Sequence, residues 1–121
     1  KFKIDGIILT NTTNQNRENL LDLKKDEIGG LSGSPLQKLS LKLIRNFYKT
    51  SKGKVPIIGV GGVDSGQNAF EKITAGATAV QLYTSMVYKG PGVVKNIKQE
   101  LINILKKEKI NNIKEAIGIN S

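Results

Sequence analysis

Val55-Pro56-Ile57-Ile58-Gly59-Val60-Gly61-Gly62-Val63-Asp64-Ser65-Gly66 is an apolar run that meets glycines and then a helix start. An unbroken apolar run suits a parallel strand covered on both faces. Pro56 stands at its beginning, where a missing N–H is tolerated. Gly59, Gly61 and Gly62 lie at its C-terminal end, where the chain turns. Without Cβ atoms, a ligand can approach the backbone and meet N–H groups suited to an anion. Asp64 or Ser65 is placed to cap the next helix, whose positive end would add to that site. Asp64 with Gln67 three residues on reads as a capping box. Ligands of open α/β folds bind outside the carboxyl ends of the strands. The stretch therefore points to a phosphate-bearing ligand.

The flanking sequence repeats the pattern. Residues 4–10 read as a strand with the polar exit Asn11-Thr12-Thr13, and residues 79–83 as a strand running into Thr84 and Ser85. A long polar loop, residues 14–34, follows the first strand; loops of that length are usually functional. Ser34 as N-cap and Pro35 at the first helical position then open a helix over residues 35–50. Its inward positions by helical spacing are Leu36, Leu39, Leu43 and Phe47. Residues 65–75 read as a second helix, with Ala69, Phe70 and Ile73 inward and Gly76 as its stop. Pro91 opens a third, reaching Lys107, with Val94, Ile97, Leu101, Ile104 and Leu105 on one face. A short terminal helix covers residues 112–117, ended by Gly118. The order β-α-β-α-β-α, with no hairpin signal, implies parallel strands. Paired phosphate loops after consecutive strands are a habit of (β/α)8 barrels.

A closed barrel of that kind takes ~250 residues. This chain has 121 and does not begin with Met, so residues 1–121 read as the C-terminal part of one barrel domain. The N-terminal half is expected elsewhere. Cys, His and Trp are all absent, which excludes thiol nucleophiles, His bases and Cys/His zinc sites within the segment. The acidic residues show no arrangement that demands a metal. The net charge of +9 comes almost wholly from lysines scattered over helix faces, and only 5% of residues are aromatic. That pattern argues against nucleic acid as a partner. No apolar run reaches the length of a membrane span. Arg17, in the long loop, is either a lid residue or a solvated one.

Three strand ends would share one mouth: Thr10-Asn11-Thr12-Thr13, Gly59-Val60-Gly61-Gly62 and Tyr83-Thr84-Ser85. Hydroxyls and amides there offer donors and acceptors without net charge, which suits a planar heterocycle. The glycine loops suit a phosphate tail. These motifs, with Gly29-Gly30-Leu31-Ser32-Gly33-Ser34-Pro35-Leu36, Gln81-Leu82-Tyr83-Thr84, Gly90-Pro91 and Glu115-Ala116-Ile117-Gly118, together resemble dihydroorotate dehydrogenase. The similarity runs in order along the whole chain. It favours class 2, the quinone-linked enzymes. Class 1 relatives tend to read Gly-Gly-Ile-Gly-Gly where this chain has Gly30-Leu31-Ser32-Gly33, and Gln-Ile-Gly-Thr where it has Gln81-Leu82-Tyr83-Thr84.

The resemblance implies an FMN enzyme of pyrimidine biosynthesis that oxidises dihydroorotate to orotate and passes the electrons to ubiquinone. It implies that Asn11 and Thr12 bind the pyrimidine and that Thr10 lies beside the flavin. It implies that Ser32, Gly33, Gly61, Gly62, Tyr83 and Thr84 hold FMN, largely through backbone N–H groups. The family's catalytic Ser and its flavin-contacting Lys belong to the earlier half of the barrel, so no residue of this chain is assigned as base. Membrane contact, through an N-terminal segment outside this chain, and a mitochondrial inner-membrane location follow from the class alone. Two rival readings stay open. One is another phosphate-binding barrel, an isomerase or an IMP dehydrogenase-like enzyme, in which a Gly-Gly turn and an Ala-Gly-Ala such as Ala75-Gly76-Ala77 also occur. The other is a non-catalytic basic module that binds RNA or membrane.

Overall fold

The computed structural model describes residues 3–15, 17, 18 and 20–121. Positions Asn16 and Asn19 of the long loop, and the first two residues, lie outside the described residues. The strands are β1 (Ile7–Leu9), β2 (Ile57–Val60) and β3 (Ala79–Gln81), and the helices are α1 (Gln37–Ser51), α2 (Gly66–Thr74), α3 (Thr84–Lys89) and α4 (Gly92–Lys107). Single 3₁₀ turns at Ser34–Leu36 and Ile113–Ala116 precede α1 and follow α4. The strands form one parallel sheet in the order β1-β2-β3, with Ile8 beside Ile58 and Ile58 beside Ala79.

The strands are shorter than the apolar runs suggest, and Pro56 explains much of this. The ladder begins where the Ile7 N–H reaches the Pro56 carbonyl at 2.9 Å. Proline has no N–H to extend it backwards. At the other end, β3 stops at Gln81 because Tyr83 is already the N-cap of α3, a short helix that the sequence reading missed.

Helices cover one face of this sheet. Ile44 of α1 meets Ile57, Ala75 and Ala77, flanked by Ile7, Leu9, Leu41, Phe47 and Tyr48. Val63, Ala69, Val93 and Ile97 make a second cluster where α2 packs on α4. The inward stripe of α1 keeps the expected Leu36 and Phe47 but differs between them. Ile44 is fully buried while Leu43 is 41% exposed. On α4, Val93 takes the inward place expected of Val94. Paired residues of a parallel sheet point to the same side. On the uncovered side stand Ile8, 57% exposed, Ile58, 37% exposed, and Ala79. An apolar sheet face left bare is what three units of a barrel present toward its interior.

At the helix ends two further expectations change, the Ser34 cap and the Asp64–Gln67 capping box, and the open choice between Asp64 and Ser65 is decided. The cap before Pro35 is Gly33, whose carbonyl accepts from the Leu36 N–H at 3.0 Å; the Ser34 side chain makes no capping bond. Ser34 is already inside the 3₁₀ turn, one position too late to cap it. Ser65, not Asp64, caps α2, its hydroxyl accepting from the Asn68 N–H at 3.2 Å. Asp64 instead accepts from the Asn68 side-chain amide at 2.8 Å, and Gln67 bonds Glu71 at 3.0 Å rather than reaching back.

Candidate functional site

The C-terminal ends of the three strands converge on one cavity of about 1020 Å³. Thr10, Asn11 and Thr12 line it from β1, Gly61 and Gly62 from β2, and Tyr83 and Thr84 from β3. Ser32 and Gly33 join them from the end of the long loop. Every residue singled out for cofactor or substrate thus borders the same space.

The loop delivers Ser32 and Gly33 by a staple at its base. Thr13 and Leu31 exchange backbone hydrogen bonds of 3.1 and 2.8 Å. The Thr84 hydroxyl then donates to the Ser32 hydroxyl oxygen at 3.1 Å, and a Cβ on Gly33 would come within 3.0 Å of the Thr84 methyl. The first and third strand ends are joined by these contacts. Arg17 is neither a lid across the mouth nor a solvated side chain. Its guanidinium donates to the carbonyls of Lys25 (3.0 Å), Glu27 (2.6 Å) and Gly29, and ties the loop to itself.

Gly61 and Gly62 form the turn after β2 with φ of 104° and 74°. A Cβ at Gly62 would lie 2.9 Å from the Gln37 Cα, so the turn sits directly on the start of α1. The Asn68 amide holds the Gly62 carbonyl at 3.1 Å. The Val60 carbonyl accepts from Ser40 Oγ at 2.5 Å and from the Thr10 N–H at 3.3 Å. Among the described residues, the backbone N–H groups of Gly33, Gly62 and Thr84 have no protein acceptor, while the parallel register of Val60 with Gln81 turns the Gly61 N–H toward β3. The buried Thr10 hydroxyl is also without a partner. An unpaired buried hydroxyl is costly, so Thr10 marks the wall as built for a ligand.

The electrostatics differ from the expected helix-end site. Gly66 N–H donates to the Glu100 carboxylate at 2.5 Å and Asn68 N–H to Ser65, so α2 spends these early N–H groups on its own chain. Lys89, the one basic side chain on the wall among the described residues, pairs with Asp64 at 3.6 Å and donates to its carbonyl at 2.9 Å. What remains for an anion is the set of neutral N–H groups. Asn11 is exposed, and its Oδ1 accepts from the Thr12 N–H at 2.8 Å, which leaves its NH₂ free to donate. Tyr83, 78% exposed, is a rim residue.

Sequence reasoning missed Lys72 and Ser40, which lie behind the wall. Lys72 is fully buried and its Nζ donates to Ser40 Oγ at 3.1 Å. One signal was available. Lys72 stands three residues after Ala69 and four before Gly76, on the same inward stripe of α2.

Among the described residues no group of three or more His, Cys, Asp or Glu side chains could hold a metal ion. No helix among them is long and apolar enough to cross a membrane.

The family model for dihydroorotate dehydrogenase matches residues 1–105. The mitochondrial dihydroorotate dehydrogenase (quinone) of Mus musculus is 51% identical over 116 residues, covering 96% of this chain and 29% of that protein. The dihydroorotate dehydrogenase (quinone) of Trichodesmium erythraeum is 46% identical, covering 98% of this chain and 33% of the relative. A ligand-free crystal structure of the enzyme from Eimeria tenella superposes with a TM-score of 0.93 at 48% identity, over 97% of this chain and 32% of that one. The chain therefore spans about a third or less of the length of these relatives. Its parallel sheet and helices correspond to three β/α units of a (β/α)8 barrel. With the strand ends gathered as the motifs require and the likeness running nearly end to end, the chain belongs to the dihydroorotate dehydrogenase family.

Proposed function

We propose that residues 1–121 are the C-terminal part of a single FMN-binding barrel that oxidises dihydroorotate to orotate in pyrimidine biosynthesis and passes the electrons to ubiquinone. The observation that carries this reading is the cavity wall. Unpartnered N–H groups of Gly33, Gly62 and Thr84, beside Gly61, line the same space as the orphaned Thr10 hydroxyl and the free Asn11 amide. Those groups fit FMN. The N–H cluster suits its phosphate and the hydroxyls suit a polar ring edge. Bound FMN supplies the two-electron acceptor for the oxidation.

This chain's own residues bind and orient. Gly33, Gly61, Gly62 and Thr84 hold the phosphate, Ser32 sets Thr84, and Tyr83 closes the rim. Thr10 stands beside the flavin. The Asn11 NH₂ donates to a pyrimidine carbonyl or carboxylate, and Thr12 adds a hydroxyl. The base is assigned to no residue here. The quinone acceptor and a mitochondrial inner-membrane location rest on the class. Relatives from mouse and Arabidopsis thaliana carry both "quinone" and "mitochondrial" in their names.

The test is Asn11→Ala in the intact protein, with flavin content and dihydroorotate oxidation measured side by side. Flavin content stays near normal. Turnover falls about a hundredfold, as loss of one positioning contact commonly costs. Wild-type turnover would remove Asn11 from the substrate site, and loss of flavin would move it to the cofactor site. A colourless wild-type protein without dihydroorotate oxidation would overturn the whole reading.

A further inference from the structure

Lys72 is a charge the proposed chemistry does not use. It is fully buried between α1, α2 and the sheet. Buried ammonium groups are almost always paired with an acid. Among the described residues Lys72 makes no ion pair within 4.0 Å. Its neighbour Glu71 attracts it, but the Glu71 carboxylate is held by Gln37 at 3.1 Å and Gln67 at 3.0 Å. From α1 it meets the uncharged Ser40, and from β2 the backbone under Gly59.

Its position is specific. The Lys72 stem passes beneath Gly59, where a Cβ would lie 3.3 Å from its Cδ. Its ammonium donates to Ser40 Oγ, and Ser40 donates to the Val60 carbonyl. Ser40 also backs the next residue, since a Cβ on Gly61 would lie 3.4 Å from the Ser40 Cβ. The charge is thus two hydrogen bonds behind the Val60–Gly61 peptide, on the side away from the cavity. In a planar trans peptide the carbonyl and the following N–H point in opposite directions. Holding the Val60 carbonyl between Ser40 and the Thr10 N–H fixes this peptide, and with it the start of the Gly61–Gly62 turn.

We propose that Lys72 is a positioning residue for the flavin phosphate, a hidden counter-charge that acts through Ser40 and the Val60 carbonyl on the Gly61–Gly62 turn. The inference rests on the FMN reading above. It explains how a wall whose one basic side chain among the described residues is already paired can hold a dianion. Burial lowers the Lys72 pKa from 10.5 to about 8, Glu71 opposing part of the shift, so the charge is present at neutral pH and lost in mild alkali. A bound dianion favours the protonated lysine. Phosphate-dependent affinity therefore declines as pH rises above about 8.

The experiment titrates the flavin-free intact protein with FMN and with riboflavin, which keeps the ring and lacks the phosphate. Fluorescence quenching gives both affinities from about pH 7 to about pH 9.5, where the phosphate, with a second pKa of about 6, stays dianionic. In the wild type the preference for FMN over riboflavin falls above about pH 8. In Lys72→Met, FMN affinity at pH 7 drops about tenfold, riboflavin affinity is unchanged and the pH dependence disappears. A wild-type preference that is flat with pH would overturn the inference, and needs no variant to fold. So would equal weakening of both flavins in Lys72→Met. If both flavins bind and only these signatures are missing, the FMN reading stands without Lys72. If neither binds, both fall together.

Discussion

Lys72 carries its charge where water does not reach it, and the cost has a definite pH window. Its pKa is near 8 in the folded protein against 10.5 for an ordinary lysine. Below pH 8 both the folded and unfolded forms carry the proton, and the fold bears the whole cost of burying a cation. Between pH 8 and 10.5 the unfolded chain keeps a proton that the folded one has released, so stability rises with pH there. Denaturant midpoints of the flavin-free intact protein should climb across this window by up to about 3 kcal/mol relative to Lys72→Met. The variant should be the more stable of the two at pH 7, because an apolar stem replaces an unpaired charge. A parallel pH course for the two proteins would show that the lysine is solvated. Stability and phosphate affinity are thus expected to move in opposite directions with pH at this single residue.

The long loop after β1 is organised as one piece by Arg17. A single guanidinium bonding the carbonyls of Lys25, Glu27 and Gly29 replaces the regular ladder such a segment lacks. Arg17→Met keeps the stem and removes these bonds. Charged hydrogen bonds are worth about 1.5 kcal/mol or more each, so local opening should increase at least about tenfold. Limited trypsin cleavage after Lys24 and Lys25 reads this directly. Flavin content should hold, since the Thr13–Leu31 staple fixes Ser32 and Gly33 independently. Unchanged cleavage would mean that the loop needs no clasp. The order of elements other than α3 was plain from the apolar periods; the polar and glycine strand exits marked one mouth, and the nine wall residues were assigned by the family resemblance. The rest was hidden for physical reasons. Pro56 shortens the ladder in a way an apolar run does not display. A six-residue helix such as α3 has too few turns to show a period. The Leu43/Ile44 and Val93/Val94 pairs offer neighbouring apolar residues, and only packing decides which one turns inward. Lys72 read as surface because lysine usually is.

The molecule as a whole is a sheet with one finished side. Both apolar clusters close within the chain, whereas Ile8, Ile58 and Ala79 face outward and both flanking strands keep a free edge. Exposed edges of this kind recruit other strands. The 121 residues expressed alone are therefore expected to associate, and to lack a sharp monomeric thermal transition. Sedimentation and calorimetry check this, and a cooperative monomer would contradict it. The bare face has a practical corollary. It makes the chain suited to be one half of a split reporter, because only that face and the two edges separate the assembled state from the unassembled one. The cavity opens at the same strand ends, so on the proposed FMN reading flavin capture becomes the signal. Yellow colour returning on mixing with the complementary barrel segment would count reassembly events, with no label attached.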